Sequence, residues 1–179
     1  MWLPTQDRAQ YPFRTVVEGD RIAFGSTALV AMRTPGHTQE STTYLLDRAA
    51  AFTGDTLFLN SVGRPDLEGG TRQELASRAR LLHMSIQRLL ELPAAAQVLP
   101  GHVSEPIPFD SRLVVTTVGA IRETVALARL DSEAFVDAVM ARIPPNPPNH
   151  SRIVELNERG EVPEDPSELE AGANRCAVA

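Results

Sequence analysis

Two histidines, His37 and His102, and one aspartate, Asp55, each come directly after a glycine at the end of an apolar segment. Glycine adopts backbone conformations that other residues resist, and proline precedes it in two of the segments, so each side chain is predicted to be held at the end of a strand. Two imidazoles and one carboxylate suit zinc, iron or manganese, and three protein ligands leave positions for water or substrate. A surface turn or cap is the alternative at each single segment. Because three such segments occur in one chain, the spacing favours a shared metal site as much as it favours separate surface turns.

Two further histidines and the single cysteine favour structural roles. His83 adjoins the apolar stripe of a predicted helix, where a hydrogen-bonded, partly buried histidine is typical, and His150 is expected to be solvated or to cap a helix. Cys176 has no neighbouring histidine or basic cluster that would activate its thiol, so we do not expect a nucleophile. One cysteine also excludes an internal disulfide and is compatible with a reducing compartment.

Arg64 and Asp66 lie in the segment 63–67, between the predicted strands and the first predicted helix. The planar guanidinium of an arginine at this position could bind a carboxylate. Alternatively, Arg64 and Asp66 pair with each other or cap the helix that begins near Thr71. The spacing alone favours this structural interpretation.

Strands are predicted to precede helices along the chain. Alternation of apolar and polar residues between 21 and 33 predicts a hairpin that starts the fold, and the runs 42–46 and 50–53 predict a second hairpin. An apolar stripe at helical spacing between Leu75 and Leu89 predicts a helix from 71 to 92, followed by a strand at 96–99. Further helices are predicted at about 113–130, 132–143 and 151–159.

The C-terminal part differs in composition from the rest. The proline-rich run 143–148 must break any helix, and the acidic tail from Gly160 is predicted to be extended. We therefore expect a domain over residues 1–143 and a proline-rich, acidic extension over residues 144–179 that packs on it.

Composition narrows the class of protein. The 179 residues, 42% of them hydrophobic, suffice for one ordinary domain with its own core. The 17 basic residues are all arginines scattered among 23 acids, which argues against a nucleic-acid partner. No apolar run approaches the length of a membrane span, and the first ten residues lack the pattern of a secretory signal. The expected location is the cytoplasm.

Four motifs together resemble the metallo-β-lactamase superfamily: TPGHT at 34–38, TGDTLF at 53–58, VGRPDL at 62–67 and LPGH at 99–102. The resemblance is to the branch that holds persulfide dioxygenases, glyoxalase II-like thioesterases and rhodanese fusions. GRPDL after TGDTLF indicates the persulfide dioxygenase and rhodanese-fusion side. PPNPPNHSRIVELNERG and the final NRCAV are similar to the C-terminal extension of this branch, so the resemblance covers nearly the whole chain.

The resemblance implies an α/β fold, a four-layer αβ/βα sandwich with a metal site at one edge of two facing sheets. By motif match, His37 corresponds to the third metal-binding histidine, and Asp55 to the aspartate that bridges two metals or completes a single iron site. His102 corresponds to the last histidine, which binds the second metal in dinuclear hydrolases and is typically not a ligand in persulfide dioxygenases. Arg64 and Asp66 would lie near the mouth, where relatives bind glutathione-linked substrates. The implied cofactor is one Fe(II) or one to two Zn(II).

The His-x-His-x-Asp-His signature of the family is absent, because no histidine precedes His37. The expected sandwich is therefore incomplete and lacks its N-terminal half. The three remaining ligands would retain metal weakly, since much of the affinity comes from a complete, pre-formed set. The open apolar face of the sheet would favour association with a second copy or a partner chain.

Three functional hypotheses follow from these observations. The first is the C-terminal part of a persulfide dioxygenase-like metalloenzyme for glutathione-linked sulfur substrates, poorly active by itself, which GRPDL favours. The second is a glyoxalase II-like hydrolase of glutathione thioesters. The third is a non-catalytic remnant that binds no catalytic metal and pairs with a partner chain or with itself, which the missing signature motivates. Whether the chain is itself an enzyme stays open at this point.

Overall fold

The computed structural model describes residues 1–103, 107–108, 110–146, 149–169 and 177–178. Strands and α-helices follow one another along these residues: β1 Trp2–Pro4, β2 Arg14–Val16, β3 Arg21–Phe24, β4 Thr27–Arg33, β5 Thr42–Leu46, β6 Ala50–Gly54, β7 Val62–Gly63, α1 Arg72–Leu90, β8 Gln97–Pro100, β9 Thr116–Thr117, α2 Val118–Thr124, α3 Ser132–Arg142, α4 His150–Arg159 and β10 Ala177–Val178. A six-stranded sheet with the strand order β3-β4-β5-β6-β8-β9 forms the centre.

Both predicted hairpins are confirmed. β3 pairs with β4 and β5 with β6, each in antiparallel register. The prediction that a hairpin starts the fold is wrong, however, because β1 and β2 precede it as a separate parallel pair. Strands of three residues are too short to give an alternating signal in the sequence.

The first predicted helix is confirmed as α1, whose side chains fill the space above the sheet. Thr71 and Glu74 form a capping box at its start, with each residue bonding the backbone of the other. The stripe Ala79, Leu82, Ile86 and Leu89 is completely buried. α1 carries the chain from β6 to β8, which pair in parallel and therefore need such a crossover.

The predicted helix over 113–130 is wrong in its first part. Residues 116–117 form β9 against β8, and the helix α2 begins only at Val118. Thr117 explains the difference, because it is in extended conformation and its side chain accepts a hydrogen bond from the backbone N–H of Ala120. A 3₁₀ turn over Ala126–Arg129 completes the segment. The predictions for α3 and α4 are confirmed to within one residue at each end.

The prediction that the tail from Gly160 is extended is wrong in two places. A 3₁₀ turn forms over Pro166–Leu169, and β10 pairs antiparallel with β7. Val178 in β10 is 1% exposed and belongs to the main hydrophobic core. A two-residue strand carries no periodic signal, so only its burial reveals it.

The helices α1, α2 and α3 cover one face of the sheet. Ala51 and Val98 point from β6 and β8 into the core that α1, α2 and α3 complete. Phe24 and Phe52 lie on the opposite face and are 49% and 40% exposed. Within the described ranges no helix is both long and apolar enough to cross a membrane.

Candidate metal centre

The three ligand-type side chains follow strands β4, β6 and β8. β4 and β6 are both antiparallel to β5, and β8 is parallel to β6, so these three strands run in the same direction. Their carboxyl ends therefore meet at one edge of the sheet. The loops that carry His37, Asp55 and His102 converge there.

Asp55 lies between the two histidines. Its Oδ1 and Oδ2 are 2.6 Å and 2.8 Å from Nδ1 of His102, which donates to the carboxylate. Oδ2 is also 3.6 Å from Nε2 of His37, too long for a hydrogen bond. The structure thus brings together the three residues that the sequence singled out.

Close packing explains the glycines of this edge. Gly36 has a φ of +136°, and a Cβ there would lie 2.4 Å from the backbone of Leu82 in α1. Gly101 was expected to provide conformational freedom. Its observed role is to make room for the neighbouring carboxylate, because a Cβ at this position would lie 2.8 Å from Oδ1 of Asp55. A Cβ on Gly63 would lie 2.0 Å from the Asp55 carbonyl oxygen. At Gly36 and Gly63 the close atoms belong to the backbone, so only glycine fits at these two positions.

His37 is the buried member of the three. Its residue exposure is 7%, and its Nδ1 donates to the carbonyl oxygen of Arg64 at 2.8 Å. Burial lowers the pKa of His37, and the nearby carboxylate of Asp55 partly opposes this shift. The imidazole is therefore kept neutral, the form that a metal ion requires.

His102 lies at the open side, with 45% of its side chain exposed. The hydrogen bond to Asp55 raises the pKa of His102, and partial burial opposes the effect. The two histidines therefore differ: burial lowers the pKa of His37, whereas the hydrogen bond to Asp55 raises the pKa of His102.

Arg64 and Asp66 form the pair that the spacing favoured. Nε and Nη2 of Arg64 donate to the two carboxylate oxygens of Asp66 at 2.8 Å and 2.7 Å. Arg64 is completely buried. The alternative role as a helix cap is wrong, because Thr71 and Glu74 cap α1. Substrate binding by Arg64 and Asp66 stays a prediction.

His83 and His150 contact other parts of the fold. Nε2 of His83 is 2.9 Å from the carbonyl oxygen of Leu130, and its ring packs on Phe135, so its predicted structural role is confirmed. His150 is the first residue of α4 and lines a cavity of about 670 Å³ beside the N-terminal segment. Asn149, not His150, holds the N-cap position. Cys176 lies outside the described residues.

Sequence reasoning missed the buried hydroxyl groups beneath the ligand loops. The Oγ1 atoms of Thr34, Thr43 and Thr56 are linked, with 3.1 Å between Thr34 and each of the others. Ser85 of α1 donates to the carbonyl oxygen of Pro35 at 2.7 Å. Thr34 and Thr56 each lie within three residues of a candidate ligand, which was the signal available in the sequence.

A family model described as metallo-beta-lactamase superfamily matches residues 2–102, the stretch that contains the three candidate ligands. The chain belongs to the metallo-beta-lactamase superfamily. This confirms the family named from the four motifs, and the mixed α/β architecture agrees with it.

Known members of the superfamily resemble the chain over most of its length. The mitochondrial persulfide dioxygenase ETHE1 of Mus musculus is 31% identical over 151 residues, which are 84% of this chain and 55% of that protein. A metallo-beta-lactamase from Staphylococcus aureus superposes with a TM-score of 0.75 at 27% identity, covering 86% of this chain and 48% of that one. ETHE1 from Myxococcus xanthus gives 0.70 at 26% identity, covering 88% and 64%.

The chain spans about half the length of the relatives that it matches. This partial coverage is consistent with the incomplete superfamily domain expected from the missing signature. The position of α1, α2 and α3 on one face of the six-stranded sheet agrees with the same expectation.

The donor types of His37, Asp55 and His102 fit the metal-dependent character of the superfamily. Their arrangement is a hydrogen-bonded trio, because His102 directs a donor at the carboxylate. Throughout the part of the chain that the structure describes, no three His, Cys, Asp or Glu side chains form a cluster poised to hold a metal ion.

Proposed function

We propose that this chain supplies part of the metal site of a persulfide dioxygenase-like enzyme that acts on glutathione-linked sulfur substrates. The observation that carries the proposal is the orientation of His102. Its Nδ1 donates to Asp55 at 2.6 Å, which is the role of a hydrogen-bond partner of a ligand rather than of a ligand. This matches what the resemblance to persulfide dioxygenases implies for His102. The similarity to the mouse persulfide dioxygenase, 31% identity over 84% of the chain, supports the same function.

In this function His37 and Asp55 would hold the metal, for which a single Fe(II) is the proposed ion. The bound metal would activate dioxygen toward the persulfide sulfur. The neutral, buried imidazole of His37 presents Nε2 on the side of Asp55. The hydrogen bond from His102 fixes the orientation of the Asp55 carboxylate, as outer partners of metal ligands do.

A glutathione thioester hydrolase is the second candidate. The contact between Asp55 and both histidines favours it, because a hydrolase with one or two Zn(II) would use all three as ligands. A rotation of the His102 ring away from Asp55 would be required first. The observed donor geometry therefore supports the dioxygenase more directly.

The test is a parallel assay on the purified chain loaded with Fe(II) or with Zn(II). We expect weak oxygen uptake that depends on glutathione persulfide with Fe(II), because few ligands are supplied. The uptake is expected to be lost in His37→Ala and kept in the control His150→Ala. Hydrolysis of a glutathione thioester without oxygen uptake would favour the second candidate. Failure to bind either metal would favour the non-catalytic remnant.

A further inference from the structure

Arg64 connects the candidate metal centre to the segment that follows α3. Beyond its pair with Asp66, its guanidinium donates to the carbonyl oxygens of Pro144 and Pro145 at 2.8 Å and 3.1 Å. It also donates to Oδ1 of Asn146 at 2.8 Å. The side chain is completely buried, so these oxygens take the place of water around the charge.

The main chain of the same residue contacts the centre. The carbonyl oxygen of Arg64 accepts a hydrogen bond from Nδ1 of His37 at 2.8 Å. Because a carbonyl can only accept, Nδ1 must carry the hydrogen, and the lone pair of the neutral ring lies on Nε2. That nitrogen lies on the side of Asp55, 3.6 Å from its Oδ2.

The two sets of contacts depend on each other. A buried guanidinium that lost its oxygen partners would be an uncompensated charge, so Arg64 cannot shift its side chain freely. Its backbone is further restricted because Gly63, the preceding residue, packs against Asp55 with no room for a Cβ. The position of the Arg64 carbonyl is therefore set by residues that are 80 or more positions away in sequence.

We propose that Arg64 is a positioning residue, which transmits the location of the segment 144–146 to the tautomer and ring orientation of His37. The segment would then be required for the centre although it contributes no ligand. This proposal rests on the proposed function only in treating His37 as a metal ligand. The tautomer can be measured without metal or substrate.

The conservative variant Arg64→Lys keeps the charge but loses the planar set of donors. Asn146→Ala removes one acceptor and is a milder change. Arg122→Met is the matched control, because Arg122 donates to the carbonyl oxygens of Leu90 and Leu92 at the far end of α1. Each variant is first checked for folding by its cooperative thermal unfolding.

The first readout is the tautomer of His37, from long-range ¹H–¹⁵N spectra of the metal-free protein at a pH where the ring is neutral. We expect the Nδ1–H tautomer in the parent, a mixture in Arg64→Lys, a smaller change in Asn146→Ala and none in Arg122→Met. The second readout is Co(II) titration. Arg64→Lys is expected to weaken Co(II) binding about tenfold, which is the smaller of the losses typical when a residue that orients a metal ligand is changed.

A folded Arg64→Lys with His37 still wholly in the parent tautomer would overturn the proposal. So would an equal change in the Arg122→Met control. If the tautomer responds as expected but the parent chain binds no Co(II), the positioning role stands and the proposed metal function fails. If only Arg64→Lys unfolds, the milder Asn146→Ala decides between the two outcomes.

Discussion

Nδ1 of His102 lies 2.6 Å from Oδ1 and 2.8 Å from Oδ2 of Asp55, so one imidazole faces both oxygens of the carboxylate. Asp55 thereby connects the exposed histidine of the candidate centre to the buried one. This arrangement makes Asp55 the residue on which the centre depends most.

Asp55→Asn is expected to weaken Co(II) binding at least tenfold, because the only anionic donor of the trio becomes neutral. The measurement is a spectroscopic Co(II) titration. Asp47→Asn is the control, since Asp47 is exposed in the turn between β5 and β6 and its side chain accepts a bond from Thr27. Equal affinity of the two variants would show that Asp55 is not a ligand.

The elements around the centre were predictable from local pattern, but the contacts between them were not. Period-two alternation and glycine turns marked the strands that precede His37 and Asp55, and helical spacing marked α1. The convergence of the loops depends on the strand order, in which β5 separates β4 from β6. Strand order is a tertiary property that the spacing of motifs does not contain.

Other features depend on contacts between residues distant in sequence. The burial of Arg64 requires oxygens from Pro144 and Asn146, which no local pattern associates with it. Gly101 looked like a conformational glycine, but its requirement comes from the side chain of Asp55. β10 is recognisable only through its pairing with β7.

Gly63→Ala is expected to lower the free energy of unfolding by more than about 3 kcal/mol, because the added Cβ would lie 2.0 Å from the Asp55 carbonyl oxygen. Gly25→Ala separates this steric effect from backbone strain. Gly25 has a φ of +57° with open space around it, so Gly25→Ala is expected to lower the free energy of unfolding by about 1–2 kcal/mol through backbone strain alone. Urea unfolding of both variants measures the difference. Similar losses at the two positions would contradict the packing at Gly63.

Ser61→Ala is expected to raise the free energy of unfolding by about 1 kcal/mol. The hydroxyl of Ser61 is buried and has no hydrogen-bond partner among the described residues, so its desolvation is uncompensated. Ser85→Ala is the contrasting variant, because the hydroxyl of Ser85 is also buried but donates to the Pro35 carbonyl oxygen. Loss of this hydrogen bond is expected to lower the free energy of unfolding by about 1 kcal/mol. Urea unfolding should therefore shift in opposite directions for the two variants. A destabilised Ser61→Ala would indicate an undetected partner of the hydroxyl.

The ion pair between Arg80 of α1 and Glu133 of α3 predicts a pH dependence of stability. Two hydrogen bonds of 2.9 Å from the guanidinium lower the pKa of Glu133 below its ordinary value. A carboxyl group whose pKa is lower in the folded state stabilises the fold above the unfolded-state pKa, about 4.3, and loses this effect as the pH falls through the folded-state pKa.

Glu133→Gln is therefore expected to be less stable than the parent at pH 7 and to lose less stability between pH 5 and pH 3. Arg80→Met should flatten the same part of the profile, because the partner that shifts the carboxyl is gone. Both groups are exposed, so the effect is small and should decrease further in high salt. Thermal unfolding across the pH series measures it. A Glu133→Gln profile parallel to that of the parent would show that the pair contributes nothing.

The sheet face opposite the helices is expected to associate with a second copy of the chain. Phe24 and Phe52 lie on this face and are 49% and 40% exposed, and burying such rings against another apolar sheet is favourable. Phe24→Thr with Phe52→Thr should weaken self-association in sedimentation velocity, while threonine keeps the strand propensity. Met84→Gln, at an exposed position of α1, is the control for general loss of apolar surface. If the parent stays monomeric at high concentration, or if the control weakens association equally, this face is not the contact between copies.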